Sequence, residues 1–256
     1  MKRLVIVVLA SILSMTVFAE GYQVNLLSTK QTGMGHVGTG MKLGAESMHF
    51  NPAGLVFLRT NMDFSLGISA IMAKAKYSYD GYSAKTDNPV GTPLYAYAGF
   101  KIYDNLAAGI SLTTPYGNSL KWPKNWAGAG LIQDISLKSY VIQPTLSYKI
   151  TDRLSIGVGL QLAWGNVNLS RALMGASDLQ GIGTKFESLL PLLAGVPSNI
   201  IPDEDKKAMQ EMVALMKGTE VPPAYARLEG NAHMRVGFNV GIMSAVCVKV
   251  TVGLSY

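Results

Sequence analysis

Few residues in this chain are placed to do bond-making chemistry. Gly33, Gly35 and Gly38 stand at a Gly-x-Gly-x-x-Gly spacing, which in the right setting cradles a dinucleotide pyrophosphate. That chemistry needs a strand before the glycines and a helix after them, so that the phosphate meets a helix N-terminus. Here an apolar leader precedes the run and Gly40 follows it, so the glycines are read as allowing tight backbone turns in a confined space. His36, His49 and His233 lack metal-ligand spacings, and the single Cys247 supplies neither a disulfide nor a thiolate cluster. No Ser-His-Asp set and no carboxylate pair stands out, so no enzyme, metal site or cofactor is expected. A second compact motif is Asn51-Pro52-Ala53-Gly54, in which the Asn side chain can hold nearby backbone groups while Pro limits the turn. Residues 33–54 therefore read as a plug whose work is conformational.

The elements around the plug belong to an exported membrane protein. Residues 1–19 have the form of a secretory signal: Lys2 and Arg3, an apolar run from Leu4 to Val17, and Val17-Phe18-Ala19 for cleavage. After residue 19 no stretch approaches the roughly 18–20 continuous apolar residues of a membrane helix. Yet the chain is 48% hydrophobic and only 15% charged, with 27 glycines. Export, few charges, abundant Gly and no membrane helix point to an all-β fold, a transmembrane antiparallel β-barrel that hides its hydrophobicity by alternation. The net charge of +6 is scattered, which gives nucleic-acid binding no support.

Residues 20–60 carry seven glycines and no sustained periodicity, and are expected to be an extended, loop-rich segment. Residues 61–256 read as barrel strands, about seven in number: 61–79, 93–103, 106–116, 134–150, a fifth from 154, 225–244 and 249–256. The fifth is clearest, with Leu154, Ile156, Val158, Leu160, Leu162 and Trp164 alternating with small or polar residues. Its phase slips at Asn166-Val167, where a bulge is expected, and Pro144 predicts a bulge or kink in the fourth. The second face is small and nearly uncharged, which suits a barrel interior. Short turns at 104–105 and 151–153 alternate with long connections at about 80–92, 117–133 and 170–224, so the short rim is expected to be periplasmic.

The longest loop, 170–224, should be partly helical. Pro202-Asp203-Glu204-Asp205 resembles a helix start, and Gly218 can end it. Met209, Met212, Val213 and Met216 share its apolar face, and 186–193 is expected to form a second short helix. These four residues, with Trp122 and Trp126, are the candidates for capturing a hydrophobic ligand. For the two tryptophans an aromatic belt at the membrane surface is the favoured expectation.

On these residues the chain resembles the FadL/TodX family of outer-membrane transporters for hydrophobic compounds. The likeness runs from Gly21-Tyr22-Gln23-Val24-Asn25 through Asn51-Pro52-Ala53-Gly54-Leu55, Pro115-Tyr116-Gly117, 126–128 and Tyr148-Lys149-Ile150 to Gly253-Leu254-Ser255-Tyr256. The resemblance implies a fourteen-stranded barrel closed by an N-terminal hatch, with passive uptake of hydrophobic small molecules such as long-chain fatty acids or aromatic hydrocarbons. It also implies sideways exit at a kinked strand into outer-membrane lipid. Gly33, Gly35, Gly38, Asn51, Pro52, Ala53 and Gly54 would form the gate, and a cationic group such as Lys149, Arg227 or Arg235 would suit a carboxylate. With the hatch starting in the periplasm, strands one and seven both run outward. Seven strands are half the family number, so the expectation is a truncated member, a monomer when full length. A structural or adhesive outer-membrane barrel with no transport role is the alternative.

Overall fold

The computed structural model describes residues 22–247 and 250–256; the expected signal at 1–19 and Lys249 of the expected last strand lie outside the described residues. The strands are β1 (Met62–Ile68), β2 (Lys76–Tyr79), β3 (Tyr82–Lys85), β4 (Leu94–Tyr103), β5 (Leu106–Thr113), β6 (Gly117–Lys121), β7 (Asp134–Thr151), β8 (Leu154–Ala172), β9 (Tyr225–Cys247) and β10 (Val250–Ser255). Seven of them pair in chain order, β1-β4-β5-β7-β8-β9-β10, antiparallel throughout. These are the seven expected strands. β6 pairs with β7 above the point where β5 ends, and β2 and β3 form a separate hairpin.

Alternation explains the sheet. Along β8 and β9, Ile156, Val158, Leu160, Val236 and Phe238 point outward and are exposed, while Ser155, Asn239 and Met243 point inward and are buried. Leu66 is 81% exposed and Val236 69%, side by side with other large apolar groups across the outer face. Burial of each such side chain would be worth roughly 1.5–3 kcal/mol, so this face is built for lipid rather than water.

Several local expectations are corrected. The stretch 61–79 is not one strand: β1 stops at Ile68 because Pro93, ahead of β4, accepts from the Ser69 amide and has no N–H to return. Pro144 causes no bulge. The β7–β8 register is the same on either side of it, and the Gln161 carboxamide donates to that of Gln143 at 3.1 Å across the interruption. The extra residue expected at Asn166-Val167 lies instead on β9, opposite Ala163–Gly165. The bulge sits on the partner strand, which is why β8 alone could not locate it. The expected helix at 186–193 is longer, Ala176–Ala194.

The inner face of the sheet is covered by residues 22–58. This segment is short helical turns rather than extended loop: α1 (Thr29–Gly33), a 3-10 turn at Gly44–Glu46, α2 (Ser47–Phe50) and a 3-10 helix at Pro52–Phe57. Each is too short for an apolar stripe to recur, so no period shows in the sequence. Met48, Leu55, Val56 and Leu58 of the segment bury against Tyr95, Tyr97 and Ala107 of β4 and β5. The long connection between β8 and β9 folds into two helices, α3 (Ala176–Ala194) and α4 (Asp203–Lys217), which pack on each other.

Candidate functional site

The Asn51-Pro52-Ala53 turn is the best-held part of the N-terminal segment. Asn51 caps the 3-10 helix with Pro52 at its first position, a place where the missing N–H costs nothing. The Asn51 side-chain oxygen accepts from the Ala53 amide at 3.0 Å. Its nitrogen donates to the Thr39 carbonyl at 2.8 Å and to the Ile242 carbonyl of β9 at 3.1 Å. Asn51 is fully buried with donors and acceptor all used.

The wall completes the seat. The Ala53 carbonyl accepts from Ser147 of β7 at 3.1 Å and Ser155 of β8 at 2.8 Å. The Met48 carbonyl accepts from Gln143 at 2.6 Å, the His49 carbonyl from Asn239 at 3.1 Å, and the Phe50 carbonyl from Ser255 at 2.8 Å. Buried backbone groups must be paired, and a segment with little ladder of its own leaves many to pair. Mostly uncharged inner-face side chains do this here, with Asp63 of β1 accepting from the Ala45 amide at 2.9 Å. Gly157 does it by absence: a Cβ there would overlap the Pro52 and Ala53 backbone. Gln143, Ser147, Ser155, Asn239 and Ser255 were not predicted as site residues; their inner-face position in alternating strands was the only signal.

The wall also touches the first half of the segment. Glu46, nearly fully buried, accepts from Ser28 and from Ser65 of β1, both at 2.6 Å. Tyr97 donates to the Leu27 carbonyl at 2.9 Å. His49 lies edge-on to Phe50 with ring centroids 5.0 Å apart, and desolvation lowers its pKa to about 4.

The predicted glycines divide. Gly38 packs under the Phe50 ring and Gly54 beside Ser47 and Met243, where no side chain fits without displacement. Gly35 takes a left-handed φ of 71°, and His36 follows it at 63°. Gly33 ends α1 in open space. The structure thus gathers Asn51–Gly54 at the wall, seats Gly38 on Phe50 within the segment, and leaves Gly33 and Gly35 in open space.

Residues 22–24 lie at the long-loop end, not at the short-turn end expected for the start of the segment. Gln23 bridges to Tyr116, the Val24 amide donates to Pro115, and Gly117 donates to Tyr22. These partners lie beyond the far end of β5 from the short turn at 104–105. There, where β5 gives way to β6, a cavity of about 290 Å³ interrupts the wall, lined by Val24, Leu94, Thr114, Tyr116, Leu137 and Tyr140 among others.

Met209, Met212, Val213 and Met216 do come together. With Phe186, Leu189 and Leu193 of α3 they line an apolar cavity of about 540 Å³ between α3 and α4, remote from the Asn51 turn. Trp122 and Trp126 stack at 4.2 Å and are buried with Ala84, Ala129 and Ala172. Trp126 donates its indole N–H to the Ile132 carbonyl at 2.8 Å. Rings enclosed by loop residues form no lipid-facing belt; they make a small core that ties the outer loops together. Of the candidate cations, Lys149 pairs with Asp152 at 3.4 Å and Arg227 with Glu229 at 2.6 Å, while Arg235 lies on the exposed part of β9.

Comparison with known proteins fits this architecture. The chain is similar in fold to a Pseudomonas aeruginosa FadL homologue, at a TM-score of 0.60 and 18% identity over 92% of this chain and 52% of that one. It is also similar to the CymD monoaromatic hydrocarbon channel (0.50, 18%, 88% and 50%) and to the P. putida toluene transporter TodX (0.50, 19%, 81% and 49%). The chain therefore spans about half the length of these structures. A search of curated proteins gives no match. The model of one family, described as outer membrane protein transport protein (OMPP1/FadL/TodX), matches residues 10–256. This chain belongs to that outer-membrane family.

Proposed function

We propose that the chain serves passive uptake of hydrophobic compounds such as long-chain fatty acids across the outer membrane, with residues 20–60 as a hatch. Gly33, Gly35, Gly38, Asn51, Pro52, Ala53 and Gly54 form its gate. The observation that carries this reading is the way the hatch is fastened. Wall and segment are joined mainly by neutral hydrogen bonds to backbone carbonyls, with Glu46 accepting from Ser65 and Asp63 accepting from the Ala45 amide as charged exceptions, and among the described residues by no ion pair. Each neutral bond contributes roughly 0.5–1.5 kcal/mol net, because water replaces it when it breaks. A seat of this kind holds the segment with no ion pair that must break when part of it moves.

The apolar cavity between α3 and α4 supports capture at the outer end, since Met side chains adapt to varied apolar shapes. The cavity where β5 gives way to β6 supports a sideways exit through the wall. A hydrophobic solute on this route follows apolar surface and needs no energy source. Two structural relatives are named for toluene and monoaromatic hydrocarbons, which makes aromatic hydrocarbons the second substrate class for this chain.

The test is uptake of labelled oleate and labelled toluene by cells expressing the protein, its Asn51→Ala variant, or a variant lacking residues 33–40. Faster uptake with the protein, altered several-fold by either change, is expected. Uptake that ignores both changes would sink the gate. No uptake above background would leave a structural or adhesive barrel.

A further inference from the structure

A furrow runs down the outer face of the wall. On β4 the outward positions 96 and 98 are both Ala. In register, Leu66 lies opposite Ala96 and Phe64 opposite Ala98 on one side, with Leu112 and Ile110 opposite them on the other. Two strands of large side chains thus flank one strand of methyl groups. Flanking strands stand about 9.6 Å apart, two strand spacings, so the trough between their side chains is roughly the width of one hydrocarbon chain. It encloses about 490 Å³. Phe100 closes its lower end by meeting Phe64 edge-on at 5.8 Å, and its upper end leads to Leu94 at the break in the wall.

A lone cation stands near the upper end. Lys138 lies on the same face of β7 as Tyr140 and Ile142, opposite in phase to buried Val141 and Gln143. It is exposed, and among the described residues no carboxylate pairs with it. Lys138 is thirteen residues from Thr151 at the short-turn rim. At strand rise and barrel tilt that places it about 33 Å above the rim, at the outer boundary of an apolar band about 25 Å tall. Ala98 is five residues from Tyr103 at the short-turn rim, which puts the floor of the furrow about 13 Å up, in mid-membrane. At that boundary a lipid-facing lysine costs at most about 1 kcal/mol and stands level with lipid headgroups, where an anion can meet it.

The geometry points to a binding site for one net anionic phospholipid, its hydrocarbon chain in the furrow over Ala96 and Ala98 and its anionic headgroup at Lys138. The chain contact gives shape, the lysine gives charge, and the two lie at the depths where a lipid carries those groups. The site uses no gate or capture residue, though Lys138 and Leu94 also line the cavity where β5 gives way to β6.

The full chain is reconstituted in bilayers of equal parts phosphatidylglycerol and phosphatidylcholine with identical acyl chains, then extracted in mild detergent. Retained lipid is identified by mass spectrometry. The protein is expected to retain phosphatidylglycerol about fivefold over phosphatidylcholine, the enrichment one lysine gives near anionic lipid. Lys138→Met should bring the ratio to parity while lipid is still retained. Ala98→Phe, or Ala96→Leu where the larger side chain prevents folding, should lose the retained lipid itself. Equal retention of the two lipids by the unaltered chain, or a preference that survives Lys138→Met, overturns the assignment. So does recovery of a free fatty acid in place of a phospholipid, which would make the furrow part of a cargo path.

Discussion

The side-chain nitrogen of Asn51 donates to the backbone carbonyl of Ile242 at 3.1 Å, joining residues 191 apart in the chain. The same side chain accepts from Ala53, so the local turn and its attachment to β9 depend on one carboxamide. Asn51→Ala removes both, leaving buried groups unpaired, at a cost of about 2–4 kcal/mol. The expected result is faster protease cleavage within 40–58 while cleavage in the wall strands is unchanged. Asn51→Asp keeps the acceptor for Ala53 but loses both donors, and should fall close to the Ala variant.

Gly157→Ala tests the fit from the wall side. Its Cβ would overlap the Pro52 and Ala53 backbone, which has no flexible side chain to move aside. Overpacking of this kind costs roughly 1–3 kcal/mol. Amides of residues 53–58 should exchange about tenfold faster or more, with β7–β8 ladder amides unaffected. Gly130→Ala, with nothing near its Cβ, serves as the silent comparison.

His49 makes the seating pH-dependent. Desolvation lowers its pKa from 6.5 to about 4, so the folded state prefers the neutral ring. Its contribution is fully present above the unfolded value and is lost as pH falls from about 6.5 towards 4. Thermal unfolding followed at pH 7 and pH 4.5 should show a drop in midpoint that is smaller in His49→Gln. An equal drop in both proteins would remove His49 from the explanation.

The helical hairpin should come apart without the wall. Val213 is buried between α4 and α3, and Val213→Asp places a carboxylate among Leu and Met side chains. A buried unpaired charge costs several kcal/mol, more than two short helices can absorb. Protease should then cut within 176–217, while the strands of the wall stay protected.

The sequence by itself determined the wall. Period-two alternation over Leu154–Trp164, and its weaker forms elsewhere, placed seven strands in order and turned their small residues to one face. It did so because alternation is local and each strand carries its own signal. The turn at Asn51-Pro52-Ala53 and the start of α4 at Asp203 were legible for the same reason, since caps and Pro act within a few residues. Tertiary structure alone decided what the inner face is for. Ser147, Ser155, Gln143 and Asn239 look like ordinary small or polar lumen residues until the carbonyls of residues 48–53 lie against them, contacts made across 94 to 191 positions of chain. The bulge on β9, the buried Trp122–Trp126 stack and the position of residues 22–24 at the long-loop end were hidden likewise. Each depends on which segment is brought opposite, and a period read along one strand carries no record of its partner.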